Sequence, residues 1–154
     1  MKISIASDHG GVSLKSAVIE FLRGEGIAVR DFGTGSGSSC DYPDYALEVA
    51  ESVAAGDSDL GILICKTGIG MSMAANKVPG VRAALCGDEN TARLSREHND
   101  ANVLALAGDT AEDSGIEIVR SWINSGFSEG DSRHRHLRRV EKINEIERKY
   151  SRAP

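Results

Sequence analysis

Apolar residues along the chain follow two kinds of pattern that alternate from its beginning to its end. Five stretches are short apolar runs of strand length, at residues 2–7, 27–32, 62–65, 81–86 and 103–107. After each run the apolar residues are spaced as on one face of a helix, and the helices are predicted to begin near residues 12, 41, 70, 91, 111 and 135. The pattern therefore predicts five strands that alternate with helices.

Strands that alternate with helices form a parallel sheet whose two faces are covered by the helices. A chain of 154 residues suits one domain, able to bury roughly two thirds of its unfolded surface. The Gly- and Ser-rich stretch at residues 33–39 is a loop and not a domain linker, because a helical pattern resumes directly after it. We therefore expect one α/β domain over residues 1–154, with a five-stranded parallel sheet and a charged tail helix at about 135–150.

Composition and charge exclude several classes of function. The chain has 18 Lys and Arg against 23 Asp and Glu, a net charge of -5, which argues against nucleic acid as its main partner. Its three cysteines lack the spacing of a disulfide framework or a metal site, so no metal is expected. No stretch resembles a secretion signal or approaches the ~20 apolar residues of a membrane span. A cytoplasmic protein that does not contact membranes is expected.

The third strand ends at Cys65 and leads through a Gly-rich turn into a helix of small residues. Ligands of an open parallel sheet bind outside the carboxyl ends of its strands. A helix N-terminus and the neighbouring Lys66 both favour the thiolate form of a cysteine, which suits a base or a nucleophile. The alternative is a buried apolar role for Cys65, since free cysteines are often buried. The turn lacks the Gly-Lys-Ser/Thr ending of a P-loop, and nucleotide binding is weakly supported.

Other polar residues also follow the ends of strands or helices. Asp8 and His9 follow the first strand, and His98 ends the helix predicted at 91–98. A capping role is the alternative for Asp8 and His9, as is a helix-dipole interaction for His98. We expect these residues to meet Cys65 at one rim of the sheet. Residues 133–139 form a dense Arg- and His-rich cluster, which suits either a phosphate-bearing substrate or a solvated helix face.

Several multi-residue motifs occur together and in order, at residues 7–11, 41–46, 61–77, 82–86, 94–104 and 135–139. With these motifs the chain resembles the type B ribose-5-phosphate isomerases and their hexose-phosphate isomerase relatives. The resemblance implies a three-layer, Rossmann-like α/β/α sandwich and a sugar-phosphate substrate. It also implies a homodimer or a dimer of dimers with active sites shared between subunits, and no metal or organic cofactor.

The resemblance further implies roles for individual residues. Cys65 matches the base that moves a proton between C1 and C2 of the open-chain sugar, and Thr67 matches the hydroxyl beside it. His98, from the partner subunit, matches the residue that assists ring opening. The loop amides matched to the hole for the enediolate oxygen belong to Lys66, Thr67, Gly68, Ile69 and Gly70. The matched substrate-binding residues are Asp8, His9 and Asn99, together with the phosphate-binding Arg135 and Arg139. Aldose–ketose isomerisation needs such a base and such preorganised donors.

Three features depart from the pattern of the family. Lys66 stands where the family usually has Gly, Asp109 stands where it usually has a phosphate-binding Arg, and residues 128–134 are slightly longer than usual. One hypothesis is that Lys66 re-aims the reacting end, so that ribose 5-phosphate is a poorer substrate than in typical members. The phosphate would then be held by the arginines of the tail, namely Arg135 and Arg139 with help from Arg133. The alternative is that Lys66 points to solvent in an ordinary pentose-phosphate isomerase.

The sequence thus favours isomerisation of ribose 5-phosphate to ribulose 5-phosphate through an enediolate. A tetrose or hexose phosphate as the substrate is an alternative, and so is a non-catalytic relative that binds a sugar phosphate. A cysteine hydrolase or a redox protein would need a Cys-His-Asn/Asp arrangement or a resolving thiol, which the sequence does not convincingly supply.

Overall fold

The structure is a computed structural model and describes residues 1–151. Its five strands form one sheet in the order β2-β1-β3-β5-β4, and every pair of neighbours is parallel. The strands are β1 (Lys2–Ser7), β2 (Ala28–Asp31), β3 (Leu60–Cys65), β4 (Ala83–Leu85) and β5 (Val103–Ala107). The predicted five-stranded parallel sheet is confirmed.

Helices cover both faces of this sheet. They are α1 (Val12–Gly24), α2 (Tyr42–Ala54), α3 (Ile69–Ala75), α4 (Glu89–Asn99), α5 (Glu112–Ile123) and α6 (Arg133–Tyr150), the last preceded by a 3₁₀ turn at Gly130–Ser132. Helices α1, α4 and α5 contribute to the core on one face, and α2 and α3 to the core on the other. Helix α6 lies outside these layers, against α4. The three-layer α/β/α architecture is therefore as predicted.

The burial of the central strand β3 explains why its sequence is apolar at nearly every position. All of its residues are buried. Ile62 and Ile64 belong to the core beneath α1 and α5, while Leu63 and Cys65 belong to the core beneath α2 and α3. A strand covered on both faces needs apolar side chains on both. Cys65, its last residue, thus stands where the buried strand meets the rim of the sheet.

Some boundaries differ from those predicted. Strand β4 is three residues long where six were predicted, because it lies at the edge of the sheet and bonds to β5 alone. Helix α4 begins two residues early because Asp88 caps it, and its carboxylate accepts a hydrogen bond from the Thr91 amide at 2.7 Å. Helix α6 also begins two residues early, at Arg133.

Helix α6 is less buried than its amphipathic pattern suggests. Four apolar residues recur at helical spacing along α6, and only Val140 of them is buried, while Leu137, Ile143 and Ile146 are exposed. Leu47 of α2 is exposed as well. No helix within residues 1–151 combines the length and apolar character needed to cross a membrane.

Candidate active site

The carboxyl ends of β1 and β3 lie side by side at the centre of the sheet, where the order of strands reverses. Ser7 pairs with Ile64 in register, and the Asp8 amide still donates to the Ile64 carbonyl oxygen at 3.1 Å. Asp8 therefore stands opposite Cys65, the next residue of β3. Their exposed fractions are only 5% and 4%. The fold brings the predicted base beside a carboxylate at the position where α/β sheets bind ligands.

Three loops at this edge pack backbone against backbone. The Gly108 amide donates to the Cys65 carbonyl oxygen at 2.8 Å. A Cβ atom on Gly108 would collide with the Gly10 carbonyl group, and one on Gly11 would lie 2.6 Å from the Ile64 carbonyl oxygen. The Cβ atom of Lys66 lies beside Gly10 in this packed layer of loops, and the rest of the Lys66 side chain is exposed. The edge is therefore a rigid floor from which a few side chains project.

The turn after β3 determines which amides are available to a ligand. Gly68 has a φ of 72°, and its amide donates to the Cys65 carbonyl oxygen at 3.2 Å. The Ile69 amide points to the Thr67 Oγ1 atom at 3.4 Å. These two amides were both matched to the enediolate hole, but they are used inside the turn. The amides of Lys66, Thr67 and Gly70 have no hydrogen-bond partner within residues 1–151 and are the ones left for a substrate oxygen.

Two residues that sequence reasoning did not select also lie at this edge. The Cys40 Sγ atom is 4.0 Å from the Nδ1 atom of His9. The ring of Tyr42 lies against Gly70, where an added Cβ would be 2.6 Å from the Tyr42 Cζ atom. The signal that could have found them is the motif at residues 41–46, which contains Tyr42 and follows Cys40 directly.

His98 and Asn99 lie elsewhere, and the expectation of one common rim is wrong within a single chain. A helix between parallel strands runs back against them, so α4 carries its C-terminus to the amino edge of the sheet, about 16 Å from its start for 11 residues. Asp100 ends the helix in the left-handed conformation, with a φ of 48°. Its carboxylate lies 2.9 Å from Arg82 and 3.5 Å from Arg96. These ion pairs hold the end of α4 in place.

The N-terminal part of α6 meets this end of α4. The rings of His98 and His136 are stacked, with centroids 4.1 Å apart and planes 7° from parallel. The Arg135 guanidinium lies 3.5 Å from the His136 Nε2 atom. Burial lowers the pKa of His136, and the neighbouring His98, Arg135 and Arg139 lower it further against the opposing effect of Glu97. The surroundings of the His136 ring therefore favour its neutral form.

The predicted site residues thus form two groups within one chain. The first, here called the edge site, contains Asp8, His9, Cys65, Lys66, Thr67, Gly68, Ile69 and Gly70. The second, here called the α4–α6 cluster, contains His98, Asn99, Arg135, His136 and Arg139. Within residues 1–151, no three His, Cys, Asp or Glu side chains lie close enough together to hold a metal ion. A thiol beside unpaired amides suits proton transfer next to a carbonyl, and a cluster of arginines suits an anion.

Fold and site together define a doubly wound α/β protein with acid–base groups at its switch point. The family model for ribose/galactose isomerases matches residues 3–143. The chain therefore belongs to the ribose/galactose isomerase family.

Curated relatives match over nearly their whole length. A Bacillus subtilis (strain 168) protein named "Putative sugar phosphate isomerase YwlF" is 47% identical, over 97% of this chain and 99% of the relative. The Escherichia coli (strain K12) "Ribose-5-phosphate isomerase B" is 44% identical, over 96% of this chain and 97% of the relative. The match therefore covers both the edge site and the α4–α6 cluster.

Solved structures give the same result. Ribose-5-phosphate isomerase B of Clostridium thermocellum superposes with a TM-score of 0.93 and is 53% identical, over 98% of this chain and 100% of that one. The enzyme from Mycoplasma genitalium, solved with bound ribulose-5-phosphate, gives a TM-score of 0.89 at 45% identity, over 96% of both chains. The sandwich described above is therefore the fold of these isomerases.

Proposed function

We propose that this protein is an aldose–ketose isomerase that interconverts ribose 5-phosphate and ribulose 5-phosphate. The observation that carries the proposal is the Cys65 thiol, which ends the central strand one residue beyond the Ser7–Ile64 pair, opposite Asp8, in a member of this family. The relatives are named for the reaction, and one of them was solved with bound ribulose-5-phosphate. These relatives support ribose 5-phosphate as the substrate over a tetrose or hexose phosphate.

The reaction needs one base and a place for negative charge. Cys65 takes the proton from C2 of the open-chain aldose, and the charge that develops on O1 is stabilised by the amides of Lys66 and Thr67. Cys65 then returns its proton to C1, while the proton on O2 is lost and O1 gains one. The net change moves hydrogen from C2 to C1 and from O2 to O1, so atoms and charge balance without any cofactor. The Thr67 hydroxyl, beside Cys65, is proposed to assist these oxygen proton transfers.

The rest of the machinery is proposed to come from a second copy of the chain. Within one chain the α4–α6 cluster lies at the edge of the sheet opposite Cys65. His98 is proposed to open the sugar ring and Asn99 to bind the open-chain sugar. Arg135 and Arg139 are proposed to bind the phosphate, while Asp8 and His9 hold the substrate from the edge site. A homodimer, or a pair of dimers, that pairs the edge site of one chain with the α4–α6 cluster of the other would complete two active sites.

Exposed apolar side chains support this assembly. Three of the large apolar residues of α6, Ile143, Ile146 and Tyr150, are 43%, 60% and 71% exposed. They border a groove with Val81 and Ala83, near the free edge of β4. Apolar faces of this kind are typical of subunit contacts. The three cysteines are unpaired, which supports the cytoplasm as the compartment.

The proposal is tested by two measurements on the same enzyme. A coupled assay measures ribulose 5-phosphate formed from ribose 5-phosphate, with tetrose and hexose phosphates as competing substrates. NMR in D₂O measures solvent deuterium entering C1 of ribulose 5-phosphate, which reports the proton transfer alone. Cys65→Ala should lower both rates at least about 100-fold, the usual contribution of a general base. Cys86→Ala, which alters a buried thiol away from the edge site, is the matched control.

The outcomes separate the alternatives. Near-normal rates in Cys65→Ala would reject Cys65 as the base. Turnover of only a tetrose or hexose phosphate would change the substrate but keep the reaction. Binding of ribose 5-phosphate without turnover or deuterium exchange in the parent protein would identify a non-catalytic relative.

A further inference from the structure

Helix α6 docks on the rest of its chain through a polar residue. Of its 18 residues only His136 and Val140 are buried, and His136 is 2% exposed. An apolar side chain at this position would serve packing alone at lower cost. The His136 Nδ1 atom is buried and has no hydrogen-bond partner within residues 1–151. A buried polar atom without a partner is unfavourable for folding, so its presence calls for another role.

His136 contacts His98, the residue proposed to open the sugar ring. The two imidazoles lie 4.1 Å apart between centroids and 7° from parallel, which is face-to-face stacking. His98 is only half-buried and sits one residue before the end of α4. Such a side chain is free to change rotamer unless a neighbour restricts it. The flat face of His136 restricts it, because only a limited range of ring orientations keeps the two rings parallel.

The charges around the pair favour this arrangement. Arg135 and Arg139 approach His136 from its own helix, and His98 and Glu97 face it from α4. Both arginines would repel a positive charge on His136. The neutral form of the ring is therefore favoured. The two proposed phosphate ligands thus lie within one helical turn of His136 along α6.

We propose that His136 is a positioning residue for His98 and that its stacked ring fixes the His98 imidazole in the orientation that ring opening requires. The inference rests on the proposed function, since it assigns His136 a part in the ring-opening step of that reaction. It predicts that loss of the flat face harms ring opening and leaves the enediolate step intact. A purely structural role would harm both steps together.

Ring opening can be separated from proton transfer by the choice of substrate. Ribose 5-phosphate closes a five-membered ring through its free O4 atom, so it must be opened before reaction. Ribulose 5-phosphate would need O5 to close such a ring, but O5 carries the phosphate, and the ketose is therefore open. Deuterium exchange at C1 of ribulose 5-phosphate thus bypasses the step assigned to His98, whereas turnover of ribose 5-phosphate includes it.

The test compares two variants of similar volume. His136→Phe keeps a flat ring, and His136→Leu keeps apolar bulk without one. We expect His136→Leu to lose about tenfold or more in turnover of ribose 5-phosphate, as misplaced catalytic groups do, with deuterium exchange within about twofold of the parent protein. His136→Phe should keep both rates within about threefold. His98→Ala should show the same split as His136→Leu, with a larger loss.

Each other outcome has a definite meaning. Equal losses in turnover and exchange for His136→Leu, or full turnover in that variant, would overturn the inference. If His136→Leu does not fold, His136→Gln, which also lacks a flat ring, takes its place in both measurements. If the parent protein shows neither turnover nor exchange, the proposed function fails, and this result is distinct from a failure confined to the His136 variants.

Discussion

Mixing two inactive variants should restore activity if each active site takes residues from two chains. Cys65→Ala removes the proposed base from the edge site, and His98→Ala removes the imidazole from the α4–α6 cluster. Within one chain these groups lie at opposite edges of the sheet, separated by the length of α4. A mixed dimer would combine the intact Cys65 of one chain with the intact His98 of the other in one site. Its second site would lack both groups.

The expected recovery follows from counting these sites. Random exchange of equal amounts makes about half of the dimers mixed, and each mixed dimer has one intact site of two, so recovery approaches about one quarter of the parent activity in a symmetric dimer. The assay is turnover of ribose 5-phosphate after subunit exchange, with exchange followed by native mass spectrometry of differently tagged chains.

Two controls set the limits of this experiment. Each single variant incubated alone should stay inactive. A double variant that carries both Cys65→Ala and His98→Ala, mixed with Cys65→Ala, should recover no activity, because no site can combine an intact Cys65 with an intact His98. Verified exchange between the two single variants without any return of activity would refute the shared site.

Three further predictions concern the turn, the core and the departures from the family pattern. Gly68→Ala should lower the free energy of unfolding by about 2 to 4 kcal/mol, since the new side chain meets both a left-handed backbone and overpacking. The control Gly26→Ala, at a position with a similar φ but open space around it, should lower the free energy of unfolding less. Equal losses for the two variants in denaturant titrations would contradict the prediction. Burial raises the pKa of Cys86 above its ordinary value. The contribution of Cys86 to stability is therefore complete below the pKa of the unfolded thiol and is lost as the pH rises above about 9. Cys86→Ala should make the free energy of unfolding fall less steeply with pH in this range, and an unchanged slope would contradict the prediction. Lys66→Gly and Asp109→Arg should each raise kcat/KM for ribose 5-phosphate, and Asp109→Arg should do so about tenfold or more through a new charged contact with the phosphate. If neither variant raises kcat/KM, Lys66 and Asp109 do not determine the substrate preference.

Much of the fold follows from local pattern. The bounds of β1 and β5 agree with the segments that predicted them, because strands inside a covered parallel sheet are largely apolar. The strand at residues 81–86 was overestimated, since its apolar character continues beyond the residues that pair with β5. Sequence pattern records burial, whereas a strand ends where its hydrogen bonds end.

The candidate site was predictable where it depends on strand ends. Asp8 and Cys65 follow adjacent parallel strands, and such ends meet at the same edge. His98 was misplaced because the end of a helix lies at the other edge, a fact of topology that residue spacing does not carry. The sequence places His136 in the Arg- and His-rich cluster at residues 133–139 without indicating its burial, which depends on where α6 docks. The spacing of four from His136 to Val140 was the available signal.

The backbone packing beneath the edge site also constrains how its substrate preference can evolve. Gly11 and Gly108 each meet a carbonyl group where a side chain would begin, so mutation cannot reshape the floor of the site without displacing the main chain. Room for change remains at Lys66 and Asp109, whose side chains are exposed. A laboratory selection for a new sugar phosphate is therefore expected to recover substitutions at these two projecting positions, and to leave the glycines of the floor unchanged.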